Sequence, residues 1–173
     1  MTTPDFVLAL REKIGHDELW LPGVTAVVLR GAEAAGVAEA AAGAEAAAGA
    51  EVLLVRRADS GAWTPVTGIV DPGEEPAVAA EREVLEEADV VAQVESLCWV
   101  KVIDPVTYPN GDRSRYLDLV FRCSWVSGEP FPADGENTEA AWFRLDALPE
   151  LSDDMSARIR VAVEGAEAAR FER

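Results

Sequence analysis

From Gly68 to Val90 the chain reads GIVDPGEEPAVAAEREVLEEADV, and this stretch constrains the fold more than any other. Asp71-Pro72-Gly73 makes a turn. Glu75 and Pro76 follow as a helix cap and first helical residue, because proline lacks the amide that a helix start leaves unpaired anyway. From about Ala77 to Ala88 good helix formers run without a breaker. Glu83, Glu86 and Glu87 stand at i, i+3 and i+4, so they share one face. Ala80 and Val84 give another side a short apolar stripe that can dock on a sheet. Like charges this close destabilise a helix unless a cation stands among them. Hard divalent ions such as Mg²⁺ take oxygen ligands of this kind. Taken alone, three glutamates read equally well as a solvated acidic face. Their neighbours shift that balance.

The window resembles the signature of the Nudix hydrolases, Mg²⁺-dependent enzymes that cleave a diphosphate linked to a nucleoside. Gly68, Glu74, Arg82, Glu83, Val84, Glu86, Glu87 and Val90 stand in register with it. Asp89 departs, standing where the family has a glycine just past the helix, a place where left-handed backbone is common. The resemblance implies an α/β/α sandwich, a mixed β-sheet flanked by helices. It implies that Glu83, Glu86 and Glu87, with the Gly68 carbonyl, bind Mg²⁺ or Mn²⁺, and that Glu74 steadies the loop–helix junction through Arg82. In some members a glutamate far past this window acts as base or extra ligand. Glu136 and Glu139 are the candidates here.

A chain of 173 residues suffices for one well-cored domain. The 49% hydrophobic fraction overstates the core, because alanine is concentrated between Gly31 and Ala50. That segment of Ala, Gly and Glu lacks large side chains and reads as a solvent-exposed insertion between two strands. The net charge of −17 argues against binding nucleic-acid polymers or anionic membranes. It leaves room for a small nucleotide, since a bound divalent cation inverts the local field. Cys98 and Cys123 form neither a disulfide framework nor a metal cluster. With no signal-peptide pattern and no apolar run of ~20 residues, a cytoplasmic protein is expected.

In order, Thr3-Pro4 opens a short helix with Phe6, Leu10 and Ile14 on one face. Val24–Arg30 and Val52–Arg57 are buried strands by their β-branched content. Arg56 and Arg57 are candidates for substrate phosphate, which suits a guanidinium. Val90–Ile103 and Arg115–Val126 flank Asn110-Gly111, a type I′ hairpin signal. That loop makes Pro109 face Asp112 and, with an unbroken register, Cys98 face Cys123. Glu139–Leu145 reads as a last strand and Asp146–Leu151 as a turn of helix. Ser152 caps a final helix with Met155, Ile159, Ala162, Val163 and Ala166 inward and Arg170 near its end. His16, the lone histidine, and Trp20 read as incidental and packing residues.

An enzyme is the leading reading, with a nucleoside triphosphate or an ADP-ribose type of substrate. Tyr108 stands near where related dinucleoside-polyphosphate hydrolases carry a tyrosine, and Pro105 near a proline that accompanies ADP-ribose hydrolysis. The resemblance also admits a homodimer. The alternative is a catalytically silent nucleotide sensor, from which lost carboxylates would be expected; this chain keeps them.

Overall fold

The computed structural model describes residues 3–31, 49–165 and 167–172, so the body of the expected insertion, 32–48, lies outside the described residues. Helix α1 (Asp5–Ile14) leads into β1 (Leu19–Arg30). Then come β2 (Glu51–Arg57), β3 (Trp63–Thr64), β4 (Val66–Ile69) and helix α2 (Pro76–Ala88). Strands β5 (Val91–Val102), β6 (Val106–Thr107), β7 (Arg113–Ser127) and β8 (Asn137–Arg144) follow, then α3 (Asp153–Glu164) and β9 (Arg170–Phe171).

The sheet runs β3-β2-β1-β7-β5-β9, with β4 paired to β1, β6 to β7 and β8 to β2. It is mixed: β1 lies parallel to β7 and antiparallel to β2 and β4. β1 starts at Leu19 rather than Val24 because its parallel pairing with β7 begins there, at Ser114. Buried on both faces, β1 reads as a continuous apolar run. Val24, Ala26 and Val28 meet Ala80, Val84 and Ala88 of α2. Val27 and Leu29 meet Ile159, Val161 and Ala162 of α3 on the other face. The result is the expected α/β/α sandwich. Among the described residues no helix is long and apolar enough to cross a membrane.

Four expectations change. In α1 the buried residue is Val7, which packs against Leu21, Ile69 and Tyr116, while Leu10 is exposed. Arg11, one turn on, reaches the Arg113 carbonyl at 2.6 Å and Ser114 Oγ at 3.0 Å, which rolls that side of the helix inward. Asp146–Leu151 is not helical but a turn, with Ala147 N–H bonded to Arg144 O at 3.0 Å, since Pro149 disfavours helical backbone before it. α3 is capped by Ser152 Oγ, which accepts from Met155 N–H at 3.3 Å, but it ends at Glu164. Arg170 therefore lies in β9, its guanidinium 4.5 Å from the Trp99 ring centre.

The fourth change is the hairpin. Asn110 does not have positive φ, as a type I′ turn would need; Gly111 alone in that loop does, at 91°. Tyr108 O accepts from Gly111 N–H and Tyr108 N–H donates to Asp112 O, both at 2.9 Å. The loop is thus three residues, Pro109-Asn110-Gly111, with proline setting the first corner. Tyr108, not Pro109, faces Asp112. Bulges in β5 then shift the register between Leu97 and Trp99 and again between Val94 and Ser96. Cys123 ends opposite Val94, in the α2 layer, whereas Cys98 packs in the α3 layer. Each one-residue slip turns side chains to the other face, so the thiols do not face one another.

Candidate active site

α2 is aimed by its apolar side, and its acidic side emerges along β4. Gly68 of β4 carries the closest contact: a Cβ there would lie 2.1 Å from Glu83 Cδ. Only glycine lets that carboxylate settle on the strand, where the Ile69 N–H donates to it. Arg82 gathers the neighbouring acids. Its Nε and Nη2 donate to the two oxygens of Glu74 at 2.8 and 2.9 Å, and Nη1 to Glu83 and Glu86, both at 3.0 Å. Glu74 Oε2 also accepts from the Asp71 N–H at 3.1 Å, which ties the turn to the helix as expected. The helix exits at Asp89, with φ 53° and ψ 32°, the left-handed conformation that the sequence position calls for.

The three glutamates are not equivalent. The Glu86 side chain is 54% exposed, Glu83 12%, and Glu87 is 2% exposed overall. Burial raises the pKa of Glu83, and Arg82 opposes the rise. Burial likewise pushes Glu87 up to about 7; Asn137, whose Nδ2 donates to its Oε2 at 3.0 Å, opposes this, while Glu83 and Asp134 add to it.

A second group of acids arrives from the far side of the chain. Phe131 N–H bonds Ala88 O at 2.9 Å and Ala133 N–H bonds Glu87 O at 3.4 Å, hooking the loop before β8 onto the end of α2. This brings Asp134 and Glu136 to Glu87, one carboxylate oxygen of each lying within 4.8 Å of the others. Glu139 is elsewhere, paired with Arg56 at 2.7 Å across β8 and β2. The donor set at the α2 edge is anionic and all oxygen. Burial raises the pKa of its two most buried carboxylates, Glu83 against the opposing Arg82 and Glu87 against Asn137 alone among the side chains bonded to it. A hard divalent cation fits these donors.

On the other face of β4 lies a cavity of about 380 Å³ whose wall includes Gly68. Arg57 lines it, held by Asp59 at 3.0 and 2.7 Å, a pair that lowers Asp59 to about 2. Arg56 is not among the lining residues. Tyr108 also stands on the wall, its hydroxyl 2.6 Å from that of Tyr116. The floor holds residues that the sequence reading did not single out. Asp118 accepts from Thr25 Oγ1 at 3.0 Å and from Arg158 at 3.1 Å; Arg158 also donates to Thr25 Oγ1 at 2.6 Å. Arg158 Nε and Nη2 donate to Asp154 at 3.0 and 2.8 Å, and Lys101 closes the series on Asp154. The signal was present: Asp118 alternates with Tyr116 and Val120 at inward positions of a strand. His16 takes no part, being exposed and bonded to Asp112 at 2.8 Å.

Comparison with known proteins bears on the family and the fold. The family model described as the NUDIX domain matches residues 34–163. A MutT-like protein of Streptomyces ambofaciens is 32% identical over 116 residues, 66% of this chain and 70% of that protein. The NAD-capped RNA hydrolase NudC of Pseudomonas aeruginosa is 38% identical over 102 residues, but the match spans only 34% of its length. Among solved structures, an ADP-ribose pyrophosphatase from Streptococcus suis superposes with a TM-score of 0.60 at 18% identity, over 87% of this chain and 96% of that one. At that identity the likeness is one of fold.

Proposed function

The chain belongs to the Nudix hydrolase family, and on that premise we propose that it hydrolyses a diphosphate bond in a small nucleoside diphosphate derivative, with Mg²⁺ or Mn²⁺ bound at the α2 edge. The observation that carries this reading is the seating of Glu83 on Gly68, because one glycine forms both the carboxylate edge and the wall of a nucleoside-sized cavity. Glu83, Glu86 and Glu87, with the Gly68 carbonyl, would hold the ion. When bound, the ion supplies Lewis acidity and neutralises charge on the leaving phosphate.

The chain's own residues do the rest. Arg82 fixes Glu83 and Glu86 through one oxygen each, and its bidentate grip on Glu74 keeps the guanidinium from swinging into the site. Glu136, brought to Glu87 together with Asp134, is the proton acceptor for an attacking water. Arg57 orients a phosphate at the cavity wall, and Tyr108 lies against the nucleoside. Arg56 and Glu139 are assigned to each other rather than to substrate. The chain acts as a single domain in the cytoplasm on a free nucleotide, the net charge of −17 disfavouring the body of an RNA.

The test is release of phosphate or nucleotide from ADP-ribose, NAD, nucleoside triphosphates and a capped RNA, each with and without Mg²⁺. Cation-dependent cleavage of at least one small substrate is expected. Tight binding of a nucleotide without turnover in any metal would overturn the reading in favour of a sensor.

A further inference from the structure

Asp118 and Arg158 are each only 3% exposed, yet both border the cavity beside Gly68. Stability does not explain two ionised groups there, because apolar residues of similar volume serve a core equally well or better. Their arrangement has a direction. The three guanidinium nitrogens of Arg158 are engaged by Asp154, Thr25 and Asp118, and Thr25 directs its hydroxyl at Asp118. What the floor offers a ligand is therefore the carboxylate of Asp118. It has about four acceptor positions, and Thr25 and Arg158 occupy only part of them. A second polar group on the same wall awaits a partner: the Thr64 hydroxyl is buried and, among the described residues, has no hydrogen-bond partner.

A pocket built this way selects a ligand edge with two adjacent donors and rejects edges that present acceptors to the carboxylate. Guanine carries such an edge, its N1–H and its 2-amino group side by side. Hypoxanthine lacks the amino group, adenine lacks the ring N–H, and neither offers the pair. The cavity's size, about 380 Å³, suits a nucleoside. We propose that Asp118 is a specificity-determining residue that accepts the paired N–H donors of a guanine base seated in this cavity. The inference rests on the hydrolase reading above and names the base of its substrate.

Calorimetric titration of the full chain with guanosine, inosine and adenosine tests it. Nucleosides carry no anhydride, so the series reads the cavity whether or not any nucleotide is hydrolysed. Equal affinities would likewise leave hydrolysis untouched. Guanosine is expected to bind about tenfold or more tighter than inosine or adenosine, the value of one good bidentate base contact. In Asp118→Asn that preference is expected to disappear; should this variant not fold, the wild-type series decides alone. Equal affinities in the wild type, no guanosine binding at millimolar concentration, or an unchanged preference in folded Asp118→Asn would each overturn the proposal. So would a carboxylate that reads the ribose instead. In that case guanosine and adenosine bind alike, and both weaken as their 2′,3′-dideoxy forms.

Discussion

Two clusters of charge lie on opposite sides of β4 and are built on opposite principles. At the α2 edge one arginine, Arg82, faces Glu74, Glu83 and Glu86, while Glu87 sits beside Asp134 and Glu136. Under α3 the charges alternate, Lys101, Asp154, Arg158, Asp118, each contacting the next. The second cluster balances itself and can be buried. The first holds carboxylates in excess: burial raises Glu83 against Arg82 and Glu87 against Asn137, whereas Asp118 in the second, also raised by burial, has Arg158 as its own partner. On the proposed reading a cation completes the unbalanced cluster, and the balanced one is architecture with a single open acceptor. Four measurements test that contrast.

The largest effect is expected from Glu86→Gln combined with Glu87→Gln. If the edge is completed by a cation, this change removes several kcal/mol of transition-state charge stabilisation, or about 100-fold or more in kcat/KM. The metal-free variant should melt at or above the wild-type temperature, since like-charge repulsion is relieved. Full Mg²⁺-dependent turnover by the double variant would remove the distinction between the clusters.

Arg158→Met strikes the balanced side. It strands Asp118 and Asp154, and breaking a buried pair from one partner typically costs about 3–5 kcal/mol. At this chain length that is a fall in Tm of roughly 6–20 °C. Added Mg²⁺ should not restore it, and a variant melting within about 2 °C of wild type would show that the pair is not structural.

Third in size is the cation's own effect. Millimolar Mg²⁺ or Mn²⁺ should raise the wild-type Tm, by about 2.7 kcal/mol of stability at a hundred times Kd. The double Gln variant should gain clearly less. Equal shifts in both proteins would place the ion somewhere other than the α2 edge.

The smallest expected change is Asp89→Gly. Asp89 holds φ 53°, which glycine adopts without steric cost, so a gain on the order of 1 kcal/mol is expected with turnover unchanged. Loss of cation binding in denaturation with and without Mg²⁺ would assign Asp89 to the site after all.

Features that depend on neighbours a few residues apart are legible in the chain. The start of α2 at Pro76, the shared face of Glu83, Glu86 and Glu87 and the Ser152 cap all follow from local spacing and backbone sterics. Resemblance to the Nudix signature extended that reading to the α/β/α sandwich, to the bracing of Glu74 by Arg82 and to the helix exit at Asp89, while the seating of Glu83 on Gly68 came from the fold. Tertiary structure alone decided what depends on register and loop return. A three-residue hairpin and bulges in β5 separated Cys98 from Cys123, because one slipped residue exchanges the faces of a strand. The hooking of Phe131 and Ala133 onto α2, not any spacing in the chain, chose Asp134 and Glu136 for the cluster and left Glu139 to Arg56. Asp118 and Arg158 meet across 40 residues of chain, and only the packing of α3 on β7 makes their burial affordable to both.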